Sequence, residues 1–208
     1  MHHDEKLQEK LVTYLEDAYA MEHQIEETLE HQVKATKMFP DIQAHIQEHL
    51  NATKQHKMRM EERLGAYNKK PSGMKDLLSR MTGNMAGVMG GSRPDSLAMT
   101  ARDDYMIEHL EIGSYELLIA TAQAFGDTAT VQACEANLRD EVLMANWLES
   151  QLGQTAILSL QQDGLTIPLE QMQAAQSAVT SALRSAHVML PQMPEDGSQP
   201  PMHVAGTI

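Results

Sequence analysis

Glu108 and Glu111 lie one helical turn apart, on the same predicted helix face as Tyr105, Ile112 and Tyr115. A carboxylate that is moved out of water without a partner costs several kcal/mol. Protonation, an ion pair or a metal ion would each remove that cost. What this chain does therefore depends on which of the three applies to these two acids.

Three other predicted helices also place polar side chains in their apolar stripes. Glu22 lies in the first helix, His49 and His56 lie two turns apart in the second, and Glu141 lies in the fourth beside Asp140. Four-helix carboxylate proteins build di-iron or di-manganese sites from inward Glu residues and Glu-x-x-His pairs. No Glu-x-x-His falls on these stripes, so the match is partial. Carboxylate and imidazole ligands suit iron or manganese.

Each of these residues also has an ordinary structural explanation. Glu22 alone can reach out to water from the edge of a helix face. His49 and His56 can face solvent or bond a backbone carbonyl. Tyr115 fits a core position with its hydroxyl bonded to an acid. A metal site is favoured because all four predicted helices place such residues in their apolar stripes.

The composition favours long helices and excludes several classes of function. The chain has 208 residues, 42% of them hydrophobic, with 16 Met and only 4% aromatic residues. Its net charge of -13 repels nucleic-acid phosphates and anionic membranes. The single cysteine, Cys134, cannot form an intrachain disulfide, and no signal peptide or membrane span is evident. We expect a cytoplasmic protein that binds neither nucleic acid nor membranes.

Hydrophobic periodicity predicts four long helices and a short one. The long helices are expected from about Glu5 to Met38, from a cap at Asp41 to Tyr67, from Asp95 or Ser96 to Phe125, and from Asp127 or Thr128 to Leu152, closed by Gly153. A short Met-rich helix over residues 74–89 is expected in the crossover as a lid on the bundle. Long crossovers of this kind occur in ferritin-like bundles.

We therefore predict an all-α fold, a ferritin-like four-helix bundle with a short crossover helix and a C-terminal helical extension. The bundle covers residues 1–153, and the extension covers residues 154–190, with a fifth helix that begins near Pro168. The tail, residues 191–208, is rich in Pro, Gly, Ser and His and is expected to be disordered.

Four segments resemble the YciF-type ferritin-like family of bacterial stress proteins. They are DAYAMEHQ at residues 17–24, EHLNATKQH at 48–56, IEHLEIGSY at 107–115 and, less closely, LRDEVLMANWL at 138–148. The resemblance covers about residues 6–152. It implies a ferritin-like bundle, often dimeric, with an inward carboxylate metal site and a role in stress.

By position, the resemblance places a set of inward polar residues at the site. The candidate metal ligands are Glu22, His56, Glu108, Glu111 and Glu141, with Tyr115 as a supporting residue. The inward face of the second predicted helix adds His49 as a second supporting residue. Two positions depart from the family pattern. Ala52 stands where the family usually has a second acid in helix two, and Ala145 stands where it tends to have an acid after the helix-four Glu.

Two hypotheses about function remain open from the sequence. The first is a metal-binding stress-response protein with iron or manganese, and with oxidase or peroxide-consuming activity. The second is a non-enzymatic, metal-free helical assembly or interaction protein that has lost the di-metal site, which Ala52 and Ala145 favour. Both hypotheses include a homodimer.

Overall fold

The computed structural model describes residues 2–70 and 96–189, which form five helices and no strand. The helices are α1 (His2–Ala35), α2 (Pro40–Ala66), α3 (Ser96–Phe125), α4 (Thr128–Gln162) and α5 (Leu169–Met189). Within these ranges, no helix is long and apolar enough to cross a membrane. The all-α prediction is confirmed, whereas the predicted helix over residues 74–89 and the tail at 191–208 lie outside the described residues.

The first four helices surround a shared core as two antiparallel hairpins. α1 packs against α2 and α3, and α4 packs against α3 and α2. Among the described residues, the backbones of α2 and α3 do not pack side by side, so these helices occupy opposite corners of the bundle. The long crossover therefore joins helices that are not neighbours, as the ferritin-like prediction requires.

Apolar side chains fill the core on both sides of a polar middle section. Towards the end where α1 begins, the fully buried residues are Leu11, Leu15, Met60, Leu64, Leu118, Ala122 and Cys134. Towards the other end, Leu29, Leu50, Ile107 and Leu148 are buried. Between these two groups, the helices bury ionisable side chains instead, in the same three- and four-residue spacing as the apolar positions.

Two predicted helix ends near Pro40 differ from the structure. α1 ends at Ala35 rather than near Met38, and the Thr36 hydroxyl donates a hydrogen bond to the carbonyl of Gln32 at 2.8 Å. Asp41 does not cap α2, because Pro40 occupies the first helical position and places Asp41 inside the first turn. Proline suits that position since its missing N–H would have no helical partner there.

The predicted end of α4 at Leu152 was wrong, because the helix continues through Gly153 to Gln162. A glycine inside a helix costs about 1 kcal/mol relative to alanine, which makes it resemble a stop signal in the sequence. Gly153 faces α5, and a Cβ atom at this position would lie 3.5 Å from Cγ2 of Val179. Among the described helices, α5 packs against α4 alone.

Candidate metal centre

Six ionisable side chains from all four bundle helices meet in the middle of the core, and we call them the acid–histidine cluster. Its members are Glu22 of α1, His49 and His56 of α2, Glu108 and Glu111 of α3, and Glu141 of α4. None of them has more than 5% of its surface exposed. The sequence analysis singled out all six, and the structure brings them together.

The cluster divides into two groups that share one residue. His49, Glu108, Glu111 and Glu141 form the first group, and Glu22, His56 and Glu141 form the second. In each group, one ligand atom per residue lies within 4.8 Å of the others, so the cluster could hold a metal ion.

Glu141 is the shared residue and directs one carboxylate oxygen towards each group. Its Oε1 lies 2.7 Å from Nδ1 of His56, whereas its Oε2 lies 3.7 Å from Nε2 of His49. A carboxylate placed in this way can bridge two cations.

Many polar atoms of the cluster have no hydrogen-bond partner among the described residues. They are both oxygens of Glu111 and of Glu141, Oε2 of Glu22, Oε2 of Glu108, Nε2 of His49 and Nδ1 of His56. Nε2 of His49 lies 3.1 Å from Oε1 of Glu108, but the N–H direction does not suit a hydrogen bond. Buried polar atoms are normally paired. Cations bonded to these atoms would satisfy them, so the residues present fit a metal centre.

A chain of hydrogen bonds holds Glu22 in place from the opposite side. The Tyr115 hydroxyl donates to Oε1 of Glu22, which confirms the expected bond between this tyrosine and an acid. Nδ2 of Asn137 donates to the Tyr115 oxygen at 2.8 Å, and Nη1 of Arg59 donates to Oδ1 of Asn137 at 2.7 Å. One Glu22 oxygen is therefore fixed, while the other remains directed towards His56, 3.6 Å from its Nδ1.

Asp140 determines which nitrogen of His56 faces the cluster. Nε2 of His56 lies 3.0 Å from Oδ2 of Asp140, and a carboxylate can only accept a hydrogen bond. Nε2 therefore carries the proton and donates it to Asp140. In the neutral imidazole, Nδ1 then presents its lone pair to Glu22 and Glu141, as a metal-binding histidine would.

Burial raises the pKa values of Glu22, Glu108 and Glu111, and neighbouring carboxylates raise them further. The pKa of Glu111 lies well above its ordinary value because burial comes together with the charges of Glu141 and Glu22. Burial also brings the pKa of Glu108 to about 8, although the nearby His49 ring lowers it. Without a cation, these acids therefore favour their protonated forms.

The pKa values of the two histidines are raised as well, but by the neighbouring carboxylates and against the effect of burial. Burial lowers the pKa of His56, but Glu141 and Glu22 outweigh this effect and raise the pKa to about 10. The pKa of His49 is raised in the same way by Glu108 and Glu141, against the effect of burial. With both imidazoles neutral, the acids of the cluster would carry four negative charges, which two divalent cations would neutralise.

Two buried polar residues near the cluster were missed by the sequence analysis. Asn137 is fully buried one turn before Glu141. Asp104 is buried one turn before Glu108 and accepts a hydrogen bond from Nε2 of Gln32 at 2.7 Å. The four-residue spacing from a cluster acid was a signal that could have identified both Asn137 and Asp104.

The two departures from the family pattern lie at different depths. Ala145 is buried and Ala52 is half-buried, and neither side chain can supply a ligand. Thr53, next to Ala52, is fully buried, and its hydroxyl donates to the carbonyl of His49 at 3.0 Å. On α2, the candidate ligands are therefore the side chains of His49 and His56.

A family model described as "Domain of unknown function (DUF892)" matches residues 6–160 of the chain. The chain belongs to this family. The match extends over nearly the same residues as the resemblance to the YciF-type proteins, and that assignment is confirmed.

Three solved structures are similar to this DUF892 chain. A protein of Xanthomonas campestris is 25% identical, with a TM-score of 0.65, and the similarity covers 77% of this chain and 99% of that one. YcfI of Rhodopseudomonas palustris is also 25% identical, with a TM-score of 0.55 and coverage of 68% and 92%. The E. coli stress protein YciF is 19% identical, with a TM-score of 0.54 and coverage of 77% and 98%, and shares the fold.

Proposed function

We propose that this DUF892 protein binds a pair of iron or manganese ions in the acid–histidine cluster. His49, Glu108 and Glu111 would hold one ion, Glu22 and His56 would hold the other, and Glu141 would bridge them. The observation that carries the proposal is the concentration of unpaired buried atoms there, above all both oxygens of Glu111. Carboxylate oxygens with imidazole nitrogens are the donor set that these metals accept.

The chain's own residues would prepare such a centre for reactions with oxygen or peroxide. Bound iron or manganese would supply a change of oxidation state and a Lewis acid. Tyr115 fixes one oxygen of Glu22, and Asp140 fixes the ring of His56, so both ligands would be oriented before an ion arrives. We propose an oxidase or peroxide-consuming activity in a stress response, consistent with the description of the E. coli relative as a stress protein.

The alternative, a metal-free assembly protein, draws support from the two imidazole–carboxylate contacts. Protonated His49 next to Glu108, at 3.1 Å, and protonated His56 next to Glu141, at 2.7 Å, would form two buried ion pairs. These pairs leave Glu111 without any partner among the described residues. A structural bundle would gain nothing from burying that acid, so the metal hypothesis explains more of the cluster.

Metal analysis of the untagged protein, produced without chelators and with iron or manganese in the medium, tests the proposal. The wild type should carry about two ions per chain, one for each group. The double variant Glu108→Ala/Glu141→Ala should carry none, because it removes the bridge and a ligand. The matched control is Glu116→Ala/Glu135→Ala, which removes two acids from the exposed faces of the same helices and should bind as the wild type does.

The proposal would be contradicted if the wild-type protein held no metal after loading with either ion and its melting temperature did not change. That result would favour the metal-free assembly. If the ions bind, consumption of oxygen and of peroxide by the loaded wild type, compared with the unloaded double variant, then tests the activity.

A further inference from the structure

A cavity of about 300 Å³ lies between α2 and α4, directly beside the acid–histidine cluster. Its lining includes His45, Glu48, His49 and Ala52 of α2 and Asp140 and Trp147 of α4. Since no cluster side chain is more than 5% exposed, an ion from solvent needs a path through the bundle.

The inner wall of the cavity contacts both groups of the cluster. His49 lines it, is 95% buried, and has no hydrogen-bond partner for Nε2, which lies 3.1 Å from Glu108. Asp140 also lines it and accepts the hydrogen bond of His56. An ion in the cavity would therefore be next to one candidate ligand and one residue away from another.

The outer part of the cavity is acidic and open to solvent. Glu48 and His45 are exposed, and the side chain of Asp140 is 41% exposed. Neither a lysine nor an arginine is among the residues that line the cavity in the described chain. The ring of His45 stacks on Trp147 at 4.4 Å and forms one side of the opening. An acidic opening on a protein of charge -13 attracts cations and repels anions.

Ala52 keeps the space between the two helices open. Its side chain is half-buried and lines the cavity one turn from His49 and from His56. Because Ala52 lines the cavity, a larger residue at this position would extend into it. Position 52, where the family usually has an acid, is therefore a position at which a substitution can fill the cavity.

We propose that this cavity is the path by which divalent cations reach the acid–histidine cluster. The inference rests on the proposed metal-binding function and adds a route to it. Glu48 and Asp140 draw the ion into the opening, and His49 receives it from the cavity side. The route predicts that filling the cavity changes the rate of uptake and leaves the number of bound ions unchanged.

Stopped-flow uptake of Co²⁺ by the metal-free full chain tests the route. Arrival at the cluster is followed by the visible absorption of bound Co²⁺. Passage through the cavity is followed by the fluorescence of Trp147, the single tryptophan of the chain. Ala52→Leu should bind the same number of ions, but about tenfold more slowly. Glu48→Lys should slow uptake by about tenfold at low ionic strength, with the difference shrinking as salt is added.

The matched control fills a different cavity of similar size. A groove of about 310 Å³ between α1 and α3 is lined by Ser114 and Leu117 among others, and by no member of the cluster. Ser114→Leu should leave the uptake rate unchanged. Far-UV circular dichroism shows whether each variant is folded. If Ala52→Leu does not fold, the uptake rate of the Glu48→Lys variant, which changes an exposed residue, tests the route instead.

The outcomes separate this proposal from the one on which it rests. A wild type that binds no Co²⁺, iron or manganese overturns both. A wild type that binds, with Ala52→Leu and Glu48→Lys taking up Co²⁺ at the wild-type rate, overturns the route alone. Equal slowing by Ser114→Leu would also overturn it, because the effect would then not belong to this cavity.

Discussion

Two groups of polar side chains in this bundle, one half-buried and one fully buried, place their carboxylates in opposite environments. Near the turn between α3 and α4, Asp127 accepts hydrogen bonds from the Tyr67 hydroxyl at 2.6 Å and from the backbone N–H of Thr130 at 3.0 Å. Arg63 donates to both Asp127 oxygens at 3.2 Å. We call these residues the turn cluster. About four helical turns along α4, in the acid–histidine cluster, Glu111 receives no hydrogen bond from any described residue.

The pKa values express the same contrast. Burial raises the pKa of Asp127, but Thr130, Tyr67 and Arg63 outweigh it and bring it to about 2. In the acid–histidine cluster, burial and repulsion between acids dominate, and the pKa of Glu108 rises to about 8. The chain can therefore satisfy a half-buried acid with its own groups where the fold needs one. The unsatisfied acids in the middle of the bundle are more consistent with a ligand site than with a structural one.

Removal of the Asp127 carboxylate should give the largest loss of stability. Asp127→Ala removes the cap of α4 and leaves Arg63 and Tyr67 without their acceptor, which together should cost about 3 kcal/mol. The free energy of unfolding is measured by urea denaturation of the metal-free protein. The control is Glu135→Ala, which removes an exposed acid of the same helix. A loss for Asp127→Ala no greater than that of the control would contradict the structural role of the turn cluster.

Asp140 should affect metal affinity rather than stability, because it acts through the ring of His56. Asp140→Ala removes the acceptor of Nε2–H and should weaken the binding of one of the two ions by about 10–100-fold, the usual effect of a partner that orients a ligand. Asp140→Asn keeps an oxygen acceptor and should lose less. Equilibrium titration with Mn²⁺ measures both. Equal affinities in the wild type and both variants would show that Asp140 has no positioning role.

The sequence predicted the helices well because each one presents an apolar stripe at helical spacing. Within α2, for example, Ile46, His49, Thr53, His56 and Met60 are all buried at the expected positions. The site residues followed from the same argument, since an acid within such a stripe must point inward. The end of α4 could not be predicted, because the tolerance of Gly153 inside the helix depends on its contact with α5, far away in sequence.

The chemistry of the cluster could be predicted only in part. The sequence indicated which residues point inward, but not that the two oxygens of Glu141 divide between two groups. That division depends on how far along its helix each residue lies. The packing of α2 against α4 determines which residues of the two helices lie at the same level. His49 was predicted as a supporting residue. The geometry places it among the groups that could hold an ion, and the assignment as a ligand is part of the proposal.

In the metal-free protein, replacement of Glu111 should raise the free energy of unfolding, whereas replacement of Asp127 should lower it. Glu111→Leu replaces an unpaired, fully buried acid with an apolar side chain of similar size, and should raise the free energy of unfolding by about 1–2 kcal/mol. The same variant should bind less metal. Urea denaturation with chelator, beside metal analysis, measures both effects. A destabilisation comparable to that of Asp127→Ala would mean that Glu111 has a structural partner and that the contrast between the two clusters is false.

The dependence of stability on pH compares the two clusters in a single protein. The pKa of Glu108 is raised from 4.5 to about 8 in the folded chain, so its contribution is fully present below pH 4.5 and is lost as the pH rises through about 8. The pKa of Asp127 is lowered from 3.8 to about 2, so its contribution is present above pH 3.8 and is lost as the pH falls through about 2.

Metal-free protein should therefore lose stability from pH 5 to pH 8, by less than about 1.4 kcal/mol per pH unit for each proton involved. Glu108→Gln should flatten this loss, whereas Asp127→Asn should reduce the separate loss below pH 4. Bound divalent ions would keep the cluster acids deprotonated, so the loaded protein should show no loss between pH 5 and pH 8. Thermal melting across this range, with and without metal, measures the difference. Metal-free stability that increases from pH 5 to pH 8 would mean that the cluster acids are satisfied by the protein itself, as Asp127 is.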